Sequence, residues 1–213
     1  MKGLLLIPDI SGFTSLVKKI DMELGVSITK ELLTTIIENN PLSLDISEIE
    51  GDAILYYKIG DPIPMKELFI CFEVILEKFQ SKYLLFKEQY NIKTDLALKL
   101  IVHYGPLSIF TIRNFTKLYG QTVIEAHKLL KNGAEQPNYM LVTDDYLKAL
   151  GATGDQVMVP EWILSYQKCS LLQDLRKICF WYYYYSPKTQ ENTQHAMIGS
   201  GCQVQHLISS EVL

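Results

Sequence analysis

Two acidic residues stand where a chain could use them for phosphate chemistry. Asp9 closes the apolar run Leu4-Leu5-Leu6-Ile7-Pro8 and is followed by Ile10-Ser11-Gly12-Phe13-Thr14. That order reads as a short buried strand turning through Ser11 and Gly12 into a helix, with the carboxylate at the strand's end. Asp52 lies in Glu48-Ile49-Glu50-Gly51-Asp52-Ala53-Ile54-Leu55, where apolar segments flank an acidic turn. This is the pattern of a β-hairpin with Asp52 at its tip. Two carboxylates on adjacent strand ends, beside backbone N–H groups at a helix start, can together hold Mg²⁺ and a polyphosphate. Each residue also has a plainer role, Asp9 as a helix cap and Asp52 as a turn residue. The metal reading predicts that the two carboxylates converge within one ion's reach.

The elements needed to position them are legible as hydrophobic periodicity. Phe13, Leu16, Val17 and Ile20 recur at helical spacing, and a second helix is predicted from about Val26 to Asn39, stopped by Asn39-Asn40-Pro41. Leu42, Leu44 and Ile46 alternate with polar residues as in a half-buried strand, and Ala53 to Tyr57 is the return strand. Met65, Leu68, Phe69, Phe72, Ile75, Leu76 and Phe79 form the stripe of a long amphipathic helix that must cover a sheet. Leu96, Leu98, Leu100 and Val102 alternate toward His103-Tyr104-Gly105-Pro106, and Leu107 to Ile112 is the next strand. A further extended piece reaches Tyr119-Gly120, Gln121 to Lys131 reads as a helix, and Tyr139 to Val142 and Leu175 to Tyr185 read as strands. Gly151 to Pro160 is turn-rich. The order β-α-α-β-β-α-β with later additions predicts an α+β fold, a mainly antiparallel sheet with helices packed on one face and extra strands at the C-terminal end.

Composition narrows the function. The 213 residues are 48% hydrophobic and 21% charged, which suits one domain with a sizeable core. A net charge of −4, with Lys and Arg scattered, gives no footprint for nucleic acid. No segment reaches transmembrane length, and the apolar start stops at Pro8-Asp9, too short for a signal peptide. Cys71, Cys169, Cys179 and Cys202 form no C-x-x-C pair, so reduced thiols and a cytoplasmic location are expected. His103, on an apolar strand, reads as a satisfied core histidine; His195, Cys202 and His206 lack ligand spacing. The run Trp181 to Tyr185 reads as sheet packing or a dimer contact.

Four segments resemble the motifs of class III adenylyl and guanylyl cyclases. Ile7 to Thr14 resembles the metal-binding strand-to-helix motif and Glu48-x-x-Gly51-Asp52 the second motif. Leu100-Ile101-Val102-His103-Tyr104-Gly105-Pro106 resembles a third, and Tyr119-Gly120-Gln121-Thr122-Val123 a fourth, so the likeness spans roughly residues 3 to 145. Their wording is also similar to a divergent bacterial group of cyclase-like proteins without assigned function. The resemblance implies a ferredoxin-like cyclase fold and a head-to-tail homodimer with its sites between subunits. It also implies two Mg²⁺ or Mn²⁺ ions on Asp9 and Asp52, with the nucleotide held along Ile10, Gly12, Phe13 and Thr14. Glu48 falls at the base-selecting position, where a carboxylate suits guanine, and Lys117 at its companion position, where the family has an Asp or a smaller Cys, Ser or Thr. Glu48 and Lys117 can instead pair with each other. Where the family carries a ribose-orienting Asn the chain has Ile124, and where it carries a charge-stabilising Arg it has Lys128, the remaining catalytic candidate. Lysine keeps the charge without the bidentate fork. Read plainly, Glu48 is a solvated strand residue and Lys128 an exposed helix residue.

Residues 1–145 are thus expected to form the cyclase-like domain, 146–188 to complete it, and 189–213 to be a loose tail with one strand near Val204 to Ile208. Three functions remain open: a protein that binds divalent metal and a purine nucleotide or similar phosphorylated ligand with reduced or no cyclisation, an active cyclase, and an interaction scaffold.

Overall fold

The apolar run before Asp9 is a central strand buried on both sides. The computed structural model describes residues 1–134, 137–160, 163–172 and 175–185. In chain order it contains β1 (Lys2–Ser11), α1 (Phe13–Lys19), α2 (Met22–Glu38), β2 (Asp45–Glu50), β3 (Ala53–Ile59), α3 (Met65–Tyr90) and β4 (Ala97–Pro106). There follow β5 (Ser108–Ile112), β6 (Phe115–Tyr119), α4 (Gln121–Leu129), β7 (Tyr139–Thr143), α5 (Asp144–Ala149), β8 (Ile163–Leu171) and β9 (Lys177–Tyr185). Seven strands form one sheet in the order β2-β3-β1-β4-β7-β9-β8, while β5 and β6 pair as a separate hairpin. Among these pairings only β4 with β7 is parallel, so the mainly antiparallel α+β architecture holds, but helices lie on both faces of the sheet and not on one, because α4 packs opposite α2, α3 and α5.

Alternation divides the side chains of β1 between two cores. Leu4, Leu6 and Ile10 pack with the inward stripes of α2 and α3 and with Tyr146 and Leu147 of α5. Leu5 and Ile7 pack on the opposite face with Ala126 and Leu129 of α4, and with Phe180, Tyr182 and Tyr184 of β9. Asp9 follows Ile7 in this alternation and so belongs to the α4 face. The aromatic run is sheet packing: Tyr182 and Tyr183 are fully buried on opposite faces.

Two further expectations need correction, and two elements, α5 and β8, are additions to them. Leu42 and Leu44 lie ahead of β2, and the register slips between Ile46 and Glu48, leaving Ile46 and Ile49 exposed. This β-bulge changes the parity of the strand, so Glu48 and Glu50 come opposite Leu55 and Ala53. Thr143-Asp144-Asp145 starts α5, with the Thr143 hydroxyl accepting from the Tyr146 N–H. Polar β8 was missed because it is an exposed sheet edge that needs no apolar alternation. Finally, Cys169 and Cys179 are direct partners across β8 and β9 and are joined by a disulfide, not reduced. Antiparallel pairing brings together residues that sequence separation kept apart, and the cytoplasmic expectation loses that support. Cys71 is a buried free thiol. The tail at 189–213, including its expected strand, His195, Cys202 and His206, lies outside the described residues. Among the described residues no helix is long and apolar enough to cross a membrane.

The turn delivering β1 into α1 depends on Gly12, whose φ of 88° is left-handed and whose hypothetical Cβ would lie 2.5 Å from the Asp95 carbonyl oxygen. Gly12→Ala is expected to cost about 1–3 kcal/mol, read from urea unfolding midpoints; an unchanged midpoint contradicts the strain at this turn.

Candidate functional site

Asp9 stands opposite Ala53 of β3 on one side and Lys99 of β4 on the other. The β2–β3 turn is pinned beside it, because the Ile10 N–H donates to the Asp52 carbonyl at 3.2 Å. Gly51, with φ of 59°, makes that turn possible. The Asp52 carboxyl is pushed up to about 6, first by burial and then by the negative charge of Asp9, while a backbone hydrogen bond and Lys99 act against the rise. The two carboxylates therefore share one electrostatic environment, although they lie 43 positions apart in the sequence.

Lys99 is a residue of the candidate site that sequence reading missed. Its Nζ lies 2.7 Å from Asp9 Oδ2 and donates to the Leu130 carbonyl at 3.0 Å, with both charged side chains about 15% exposed. The available signal was a single cation inside the apolar strand Leu98-Lys99-Leu100-Ile101-Val102, since lysine is seldom buried without a partner. Nothing in the alternation identifies that partner.

A 120 Å³ cleft next to Asp9 is lined by Ile7, Glu48, Glu50, Ala53, Leu55, His127 and Leu130. The bulge in β2 brings Glu48 here, where it forms an ion pair with Lys117 of β6 and lies 3.8 Å from His127 Nε2. The pairing of Glu48 with Lys117 noted in the sequence is thus the one formed. Lys128 is half-buried on α4 and does not line this cleft, whereas Ile124 is exposed. Ile10 is buried in the helical core, Phe13 packs against it from α1, and Thr14 and Gly12 are exposed at the start of that helix.

Helix α4 forms one wall, and a buried ionic network holds it there. Glu125, 2% exposed, receives Nε2–H from His103 at 3.0 Å, Arg176 Nε and Nη2 at 2.7 and 2.9 Å, and Gln121 at 2.8 Å. Burial alone would raise its carboxyl, but these donors hold it down at about 2. His103 Nδ1 engages the Thr143 hydroxyl at 2.9 Å, so this histidine is indeed a satisfied core residue. Arg176 also ties in Asp145.

Chemically, Asp9 and Asp52 supply hard oxygen donors of the kind Mg²⁺ and Mn²⁺ prefer, in a place that already selects positive charge. Among the described residues no three His, Cys, Asp or Glu side chains converge as a cage, so further donors would have to be backbone, water or phosphate oxygens.

A family model described as "Protein of unknown function (DUF2652)" matches residues 29–139, just over half of the chain. The chain belongs to that family. The match covers Glu48, Asp52, Lys99, Lys117 and Lys128 of this DUF2652 protein and begins after Asp9. No curated protein sequence matches it. Among solved structures it is similar to the adenylyl cyclase CyaB from P. aeruginosa, at 16% identity and a TM-score of 0.65 over 88% of this chain and 95% of that one. The guanylyl cyclase Cya2 follows at 14% identity and 0.62, over 89% and 95%. The guanylate cyclase domain of RhGC from Catenaria anguillulae, solved in complex with GTP, aligns at 11% and 0.56 over 87% and 97%. At these identities the likeness is one of fold: the DUF2652 chain has a nucleotide-cyclase-like fold.

Carboxyl-carbon NMR checks the shared electrostatics. Asp52 should titrate near 6, and Asp9→Asn should move its midpoint down. Because the folded state holds this proton more tightly than the unfolded chain, stability from this group should decline as pH rises from about 4 to about 6. An Asp52 midpoint unaffected by Asp9→Asn contradicts the coupling.

Proposed function

We propose that the protein binds a divalent metal ion, Mg²⁺ or Mn²⁺, through Asp9 and Asp52, together with a purine nucleotide or similar phosphorylated ligand at an interface between two copies, with reduced or no cyclase activity. The observation that carries this reading is the placement of two acids at neighbouring strand ends, Asp9 on β1 and Asp52 on the turn whose backbone carbonyl accepts from the Ile10 N–H, with the charge of Asp9 helping to raise Asp52. The cyclase-like fold supports it, and that one similar structure holds GTP supports a purine nucleotide as the ligand class. A bound divalent ion would supply charge neutralisation at the phosphates and activation of a ribose hydroxyl.

The residues opposing turnover lie on α4 and β6. Ile124 offers no hydrogen bond to a ribose, and a lysine at 128 provides a point charge where phosphoryl transfer profits from a planar fork. Loss of one such donor commonly lowers turnover about 10²–10³-fold. Glu48, engaged with Lys117, is not free to accept from a guanine edge unless that ion pair opens.

A second reading has its own observation. The contact between Asp9 and Lys99 is what a purely structural ion pair would look like in a scaffold that binds no nucleotide.

Incubation with ATP or GTP and Mn²⁺ is expected to give no cyclic nucleotide above an Asp52→Ala control. The same mixtures should raise the unfolding temperature by roughly 5–10 °C at a hundredfold excess over Kd, with the rise lost in the control. Cyclic product in the wild type would identify an active cyclase; absence of stabilisation at millimolar nucleotide would identify the scaffold.

A further inference from the structure

Lys99 occupies a seat shaped for a positive charge. Leu98, Leu100 and Val102 of β4 pack into the helical core, while Lys99 and Ile101 turn to the α4 face. There the ammonium meets Asp9 Oδ2 at 2.7 Å and the Leu130 carbonyl at 3.0 Å. Leu130 caps the C-terminal end of α4, so its carbonyl belongs to the negative end of the helix. A carboxylate and a helix C-terminus thus face the same point, and the chain's own cation fills it.

The charge at this point limits what else can bind. Asp9 and Asp52 bring two negative charges and Lys99 one positive charge: Lys99 holds Asp9, and the turn carrying Asp52 is pinned to the next residue of β1 by the Ile10 N–H. Glu48 is already engaged by Lys117 with His127 nearby, and Glu50 is exposed at the cleft's rim. A single divalent ion turns the group of three into a net positive centre, suited to phosphate. A second would crowd three net positive charges onto partly buried side chains, where screening by water is weak.

We propose that Lys99 takes the place of one of two cations, so that Asp9 and Asp52 hold a single divalent ion per chain. This rests on the metal-binding reading above and deepens it. Lys99 would keep its hold on one Asp9 oxygen while the ion takes the other together with Asp52, since a carboxylate offers two oxygens.

The test is a titration of the full chain with Mn²⁺ alone, counting bound ions from the loss of the free-ion paramagnetic resonance signal. The wild type should bind one ion, Asp52→Asn none, and Lys99→Met a second ion or the first at least tenfold more tightly. Circular dichroism confirms that each variant is folded, and Lys99→Gln, which can still donate to the Leu130 carbonyl, replaces Lys99→Met if the latter does not fold. Two ions on the wild type, or one of unchanged affinity on the Lys99 variant, overturns the single-ion proposal while leaving the metal reading intact. No saturable ion on the wild type overturns the metal reading itself.

Discussion

A carboxylate at the end of a central strand has to be compensated, and the pairing of Asp9 with Lys99 is how this chain does it. Partly buried charges are tolerated only when paired, because removal from water costs several kcal/mol per ion. β1 lies between β3 and β4, so the groups able to answer Asp9 come from those strands and from whatever packs above them. β4 provides the ammonium, the β2–β3 turn provides a second acid, and the end of α4 provides a carbonyl. The result is a small polar region on an otherwise apolar sheet face, with one more negative charge than positive.

That region keeps its shape because each wall is fixed separately. The bulge in β2 turns two glutamates onto the site's face, and the Lys117 and His127 contacts join β2 to β6 and α4. Helix α4 is held at its middle by Glu125, whose partners come from β4 and from Arg176 just ahead of β9. Removing one member of such a buried network leaves an unpaired charge, with a cost of about 3–5 kcal/mol. The stabilising machinery on α4 therefore stands apart from the cleft beside Asp9.

Much of this was legible in the residues. The run from Leu4 to Gly12 announces strand, acid and turn because apolar continuity, then Ser and Gly, leave few alternatives. The stripe from Met65 to Phe79 specifies α3, although the helix runs on to Tyr90. What was not legible depends on the third dimension. Period-two reading gives the side of the sheet on which Lys99 lies but not that Asp9 is its cross-strand neighbour, and it cannot see a bulge that reverses parity at Glu48. The disulfide and the contact of Arg176 with Glu125 likewise need a register that local pattern does not encode.

The account comes down to whether the two aspartates share one cation. Anomalous diffraction at the manganese edge, from crystals grown with Mn²⁺, addresses this most directly. The account predicts a single peak bridging the Asp9 and Asp52 carboxylates, with Lys99 still within hydrogen-bonding distance of Asp9. A map without a peak there at saturating Mn²⁺, with the Asp9–Lys99 pair undisturbed, would contradict it.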